Sequence, residues 1–175
     1  MVSSKLFEPL QIGRVKLNHR IVMAPLTRFR ASDSHVHTQL ATTYYEQRAS
    51  VPGTLLITEA TFIAPRATGY ANVPGLWSQE QLAAWKEVTD AVHAKGSFIF
   101  AQLWALGRAA DPHQLEKESF GDLVGPSDIS IQGRSAPRSL TDKEIWEYVD
   151  LYATAAKNAV EVAGFDGVEI HGANG

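Results

Sequence analysis

The 175-residue chain is 45% hydrophobic and 20% charged, a globular composition long enough for one sizeable core, with a single domain as the default. A net charge of −3, without any window dense in Lys and Arg, sets aside nucleic acid and acidic membrane surfaces as main partners. The absence of cysteine excludes a disulfide framework, a thiolate metal site and a cysteine nucleophile; with no apolar stretch near membrane-spanning length and no leader-like core in Met1–Pro9, the expected address is the cytosol.

In chain order, Arg20–Ala24 is a short β-branched run bounded by turn formers and reads as a buried strand, followed by a helical stretch over Gln39–Ala49. A second strand over Thr54–Glu59 precedes a helix over Ser78–Ala94, and a third over Ser97–Gln102 precedes a helix over Thr141–Ala163. Asp166–Ile170 is the fourth strand. The two longer helices open as Ser78-Gln79-Glu80-Gln81 and Thr141-Asp142-Lys143-Glu144, the second a capping box, and Gly96 and Gly164 stand where each should stop.

The order β-α-β-α-β-α-β implies a parallel sheet with right-handed crossovers, either an open doubly wound sheet or part of a (β/α)8 TIM barrel. The first strand runs into Pro25-Leu26-Thr27-Arg28-Phe29-Arg30, with no glycine-rich phosphate loop, which favours the barrel. A complete barrel needs roughly 250 residues and eight βα units. This chain supplies four, so residues 1–175 are expected to form one partial domain, the N-terminal half, with two open strand edges that invite self-association. Residues 105–139 are rich in Pro, Ser, Gly and Asp and predict an excursion over the barrel mouth, with Asp111-Pro112 as a turn.

Several residues carry candidate chemistry. His171 and Asn174, three apart among small residues at the carboxyl end of the last strand, offer two neutral donors that look like half of a site; a histidine under a helix capped by Asn174 is the bland alternative. Gln102 ends an apolar strand, where an amide is costly to bury unless its donors and acceptors are used. A planar ring presenting N–H beside C=O would use them; a surface amide would not need it. His35 and His37 have alternate spacing that could chelate a metal but lack an acidic or thiolate partner, and read as a polar loop. Glu59 and Glu169 lie in apolar strands and read as structural carboxylates bonded to neighbouring backbone or basic groups, not as a catalytic pair.

Five motifs in order, Met23-Ala24-Pro25-Leu26-Thr27-Arg28, Ile57-Thr58-Glu59-Ala60-Thr61, Gly75-Leu76-Trp77-Ser78-Gln79-Glu80-Gln81, Ala101-Gln102-Leu103-Trp104 and Gly167 to Gly175, resemble the old yellow enzyme family of flavin-dependent ene-reductases. Arg48–Thr54 and Trp104–Pro112 further resemble fungal members, including those of ergot-alkaloid pathways. The resemblance implies a (β/α)8 barrel with non-covalent FMN across its carboxyl face, NAD(P)H as hydride source and an enone or enal as substrate. It implies that Thr27 donates to the flavin carbonyl near N5, that Pro25, Leu26 and Ala60 line the ring through backbone atoms and close packing, that Gln102 pairs with its pyrimidine edge, and that Trp104 shapes the substrate pocket. His171 and Asn174 would hold the substrate carbonyl oxygen as it gains charge. The family's proton-donating tyrosine falls one position beyond Gly175, and its phosphate-holding basic residues belong to later strands. A truncated, inactive half-barrel that works only by association is the rival expectation.

Overall fold

The computed structural model describes residues 4–173. The chain opens with an antiparallel hairpin of β1 (Leu10–Ile12) and β2 (Val15–Leu17), turned by Gly13 in the left-handed region at φ +53°. Its register pairs Leu10 with Leu17 and Ile12 with Val15. Val15 and Leu17 are buried in one cluster with Leu55, against Phe98 and Phe100. The hairpin thus closes the amino-terminal end of the sheet, a part that the sequence reading did not anticipate.

Four parallel strands follow the expected order: β3 (Val22–Met23), β4 (Leu55–Phe62), β5 (Phe98–Trp104) and, after the connections described below, β8 (Gly167–Ile170). They lie side by side as β3-β4-β5-β8, each beside its predecessor. An open doubly wound sheet would reverse its order at a switch point, and this sheet does not. Between them run α1 (Gln39–Arg48), α2 (Gln79–Ala94) and α4 (Asp142–Lys157). Both longer helices begin with complete capping boxes, Ser78 with Gln81 and Thr141 with Glu144. Gly96 at φ +74° and Gly164 at φ +79° make the expected stops. The last helix is shorter than expected, because α4 gives way to a wider π turn over Asn158–Val162, where the Asn158 side chain donates to the Leu76 carbonyl at 3.0 Å.

Strand alternation sorts the side chains. On β5, Ile99, Ala101 and Leu103 join one core with Tyr45 of α1, Trp85 and Val88 of α2 and Ala155 of α4, so all three helices cover the same face. Phe98, Phe100 and Gln102 take the other face, which grades from an apolar floor near the hairpin to a polar end. At that floor the Phe100 ring fills the space above Gly167, where a Cβ would come within 2.7 Å of it.

Residues 105–139 are more ordered than a loop excursion. Asp111 and Pro112 are not a plain turn: Asp111 caps α3 (Pro112–Glu118) by accepting from the His113 N–H, with Pro112 at the first helical position. Beyond α3, β6 (Val124–Gly125) pairs in parallel with β7 (Arg138–Ser139). Leu106, Ala109, Ala110 and Leu115 pack with Phe62 and Trp104 at the carboxyl ends of β4 and β5. Among the described residues, no helix is long and apolar enough to cross a membrane.

Candidate functional site

A cleft of about 380 Å³ opens at the carboxyl ends of the four parallel strands. It is lined by Pro25 and Thr27 after β3, Ala60 of β4, Gln102 of β5, and Glu169 and His171 at the end of β8. Five of the predicted positions therefore meet in one place. Leu26 does not line the cleft: its side chain is 50% exposed, as the alternation between Pro25 and Thr27 dictates. Asn174 lies outside the described residues.

Ala60 reaches the cleft because β4 carries one residue too many. Its register against β5 shifts between Ile57, opposite Phe100, and Ala60, opposite Gln102. Regular alternation from Ile57 would turn Glu59 toward the cleft and Ala60 toward the helices. The bulge reverses that phase. Glu59 instead lies in the helix layer, where its Oε2 accepts the Arg28 backbone N–H at 2.9 Å and its own N–H donates to the Tyr45 hydroxyl at 2.9 Å. Thr58, in the bulge, accepts the Gln102 N–H on its hydroxyl at 2.9 Å.

Gln102 is buried, and its side-chain amide donates to Glu169 Oε1 at 2.8 Å across the pairing of β5 with β8. Among the described residues its carbonyl oxygen has no partner, so the amide still presents one acceptor and one N–H to the cleft. The Thr27 hydroxyl likewise bonds no described group and caps no turn. Glu169, read from the sequence as structural, does anchor a neighbour, yet it also lines the cleft. The alternation Val168-Glu169-Ile170 on a strand paired with Gln102 was the signal that could have found it.

The His171 ring is set from two sides. Its Nδ1 accepts the Ala173 backbone N–H at 3.2 Å, which makes the neutral ring the tautomer with its proton on Nε2. Trp104 stacks on the imidazole, with ring centroids 5.3 Å apart and planes 21° from parallel, and Phe62 stacks on the far side of the pair at 5.4 Å from Trp104. Trp104 is not among the residues bounding the cleft; it backs one that is.

The two histidines read as a polar loop are in fact buried, at 1% exposure for His35 and 8% for His37. His35 bonds the Val73 carbonyl through Nδ1 and lies 3.2 Å from Glu118 through Nε2, tying the β3–α1 segment to α3. His37 packs edge-on against Trp85 at 4.1 Å, with Nε2 3.7 Å from Glu59 Oε1. Burial pushes His37 down to about 3 and Glu59 up to about 7. An apolar stretch was required for the sequence to betray this burial, and Ser32–Thr38 has none. No group of three or more metal-ligating side chains occurs among the described residues.

A family model described as the NADH:flavin oxidoreductase / NADH oxidase family matches residues 5–175. The chain is 60% identical over 173 residues to the NADP-dependent oxidoreductase lnbE of Aspergillus flavus, covering 98% of this chain and 45% of that protein. It is 59% identical to the chanoclavine-I aldehyde reductase fgaOx3 of Penicillium roqueforti, covering 98% and 47%, and 57% identical to a probable inactive reductase, easA, of Epichloe festucae var. lolii, covering 100% and 46%. Among solved structures, the old yellow enzyme from Pichia sp. AKU4542 superposes with a TM-score of 0.92 at 41% identity, covering 98% of this chain and 46% of that one. Morphinone reductase in complex with tetrahydroNAD gives 0.87 at 41%, covering 98% and 50%. The chain spans about half the length of the relatives it matches, and its sheet is the N-terminal half of their barrel.

A flavin ring fits the chain's own residues: the cleft is within the size range of ligand sites, and Gln102 and Thr27 present unused polar groups to it. Among the described residues, none stands out as a phosphate clamp. The stacking geometry yields a prediction that needs no cofactor. In a completed barrel, Trp104→Leu should move the His171 ring-proton resonances downfield, as the shielding face of the indole is lost. Unchanged His171 signals would mean that Trp104 does not hold the imidazole.

Proposed function

We infer the function of this chain from the family to which it belongs, the NADH:flavin oxidoreductase / NADH oxidase family: within a completed barrel it reduces the C=C bond of a small α,β-unsaturated aldehyde or ketone. FMN, held non-covalently and reduced by NAD(P)H, supplies the hydride when bound. The observation that supports this most is the convergence of Pro25, Thr27, Ala60, Gln102 and His171 on one cleft, with the imidazole proton placed on Nε2. In this reading the Gln102 amide and the Thr27 hydroxyl hold the polar edges of the flavin ring. Pro25 and Ala60 bound it, and Leu26 contributes through its backbone. Glu169 fixes the Gln102 amide against β8.

The substrate's carbonyl oxygen is the point where this chain's residues act. Hydride arriving at the β-carbon drives negative charge onto that oxygen, and donors fixed in advance stabilise it. His171 offers Nε2–H, and Asn174 is proposed as the second donor from its match to the family motif. The tautomer matters, because an imidazole protonated only at Nδ1 would present a lone pair to the oxygen. Trp104 then acts on the substrate side by holding His171. A relative named for an aldehyde at 59% identity favours an enal in fungal secondary metabolism, and one named as NADP-dependent favours NADPH.

Replacing both His171 and Asn174 by Ala should abolish the long-wavelength charge-transfer band that a phenol induces in the flavin, while FMN stays bound. A band of unchanged intensity would remove these residues from the site. Losing one donor alone should slow alkene reduction by about 10²-fold. A separate measurement addresses Thr27. Thr27→Ala should lower the flavin's reduction potential and slow its reduction by NADPH, since a hydrogen bond favouring the electron-rich ring is lost; equal potentials and rates would deny it that contact.

A non-catalytic half-barrel is the second reading, favoured by the open edges. Ile21 and Val22 at one side of the sheet are 49% and 38% exposed, and Ile170 at the other is 67% exposed. Unpaired edges flanked by apolar surface drive association. Residues 1–175 expressed by themselves should be oligomeric or insoluble and retain no FMN through gel filtration. A yellow 19.1 kDa monomer that turns over NADPH with an enone would overturn that expectation.

A further inference from the structure

Glu59 stands behind the cleft and touches nothing in it. Its side chain is 2% exposed, one oxygen takes the Arg28 N–H and the other lies 3.7 Å from His37 Nε2. The residue before Arg28 is Thr27 and the residue after Glu59 is Ala60, and both line the cleft. The same bulge puts the Thr58 hydroxyl on the Gln102 N–H. Burying a carboxylate is costly. A residue serving only to fill space between β4 and α1 would be apolar, as Leu56 is in the same layer.

We propose that Glu59 is a positioning residue for the flavin-ring site: by accepting the Arg28 N–H it holds the Thr27–Arg28 peptide against β4 and so sets where the Thr27 hydroxyl stands. The proposal rests on the flavin reading above. No other side-chain bond ties the Thr27–Arg28 peptide to β4 among the described residues, since the Pro25–Phe29 stretch has no strand pairing of its own. The connection is short and direct. It also has a tunable strength, because an ionised carboxylate is a better acceptor than a protonated one.

The charged and titratable groups around Glu59 are Arg28, Arg30 and His37 from the segment between β3 and α1, and Tyr44, Tyr45 and Arg48 from α1. Burial raises Glu59 to about 7 despite the Arg28 N–H and guanidinium, which pull the other way. Burial holds His37 neutral, at about 3, and keeps the Tyr45 hydroxyl protonated well above its ordinary range. Glu59 is thus poised to change charge near neutrality. Its grip on Arg28 tightens as pH rises through about 7.

The test compares the parent with Glu59→Gln and Glu59→Leu in an assembly that completes the barrel, reading the FMN dissociation constant and the flavin midpoint potential from about pH 6 to about pH 8, across the Glu59 transition at about 7. Gln keeps an acceptor for the Arg28 N–H and loses the titration, so FMN affinity should stay within about threefold of the parent while its dependence on pH between about 6 and about 8 becomes shallower than the parent's. Leu removes the acceptor and should weaken FMN by about tenfold or more. A folded Glu59→Leu with the parent's affinity and potential overturns the proposal, and so does a Glu59→Gln that weakens FMN as much as Glu59→Leu does. If the Leu variant does not fold, the Gln profile decides. A parent that takes up no FMN overturns the flavin reading and this proposal together, whereas equal FMN binding by parent and Leu variant overturns the proposal alone.

Discussion

One extra residue in β4 sets the phase of the carboxyl end of the sheet. Up to Ile57 the strand alternates in step with β5, and from Ala60 it is again in step, with two residues facing one in between. A strand's side chains change face at every residue, so a single insertion exchanges the faces of all that follows. Here it turns a methyl group toward the cleft, where a planar ligand needs close approach, and turns a carboxylate toward α1. The residues of the bulge are satisfied by three different elements, with the Glu59 N–H on Tyr45, its carboxylate on Arg28 and the Thr58 hydroxyl on Gln102. Regular alternation through these same residues, without the bulge, would turn Glu59 into the cleft and take it away from Arg28.

The cleft is assembled in two stages along each strand. Near the hairpin, Phe98 and Phe100 fill the inner face and Gly167 makes room for a ring. Further along the same alternation the side chains become Gln102 and Glu169, which bond each other. A polar pair on an apolar floor can be rigid because its neighbours are close-packed, and it can be buried because each member finds a partner. The aromatic column Phe62-Trp104-His171 performs the corresponding task at the rim. It carries packing from the core cluster under residues 105–139 to the one imidazole that faces the cleft.

What was legible in the sequence was local or periodic. The four parallel strands, the three long helices, both glycine stops and the capping residues follow from spacing within one element. Gln102 and His171 were legible as polar residues at the ends of apolar strands. The hairpin at Leu10–Leu17 was not, because its two strands are three residues each and their apolar residues gain meaning only against Leu55 and Phe98. The burial of His35 and His37 depends on Trp77, Trp85 and Phe62, distant in sequence. The bulge is the hardest case: Thr58-Glu59-Ala60 reads as ordinary strand, and only the register with β5 reveals the insertion. Leu26 was legible only as a residue contributing backbone atoms, and its side chain stands away from the cleft.

The amino-terminal hairpin has a consequence for how such a chain acquires its shape. Its own pairing spans eight residues, from Leu10 to Leu17, and can close before the rest of the polypeptide is synthesised. Its apolar side, however, has nothing to rest on until Leu55 and then Phe98 arrive, more than 35 and 80 residues later by their numbering. The stopper of the sheet is therefore closed early and seated later, and the loop closed by its second contact, to Phe98, is longer than that closed by its first, to Leu55. Vectorial synthesis gives this order a use: the hairpin offers β4 and then β5 the same apolar face, through Leu55 and then Phe98 and Phe100.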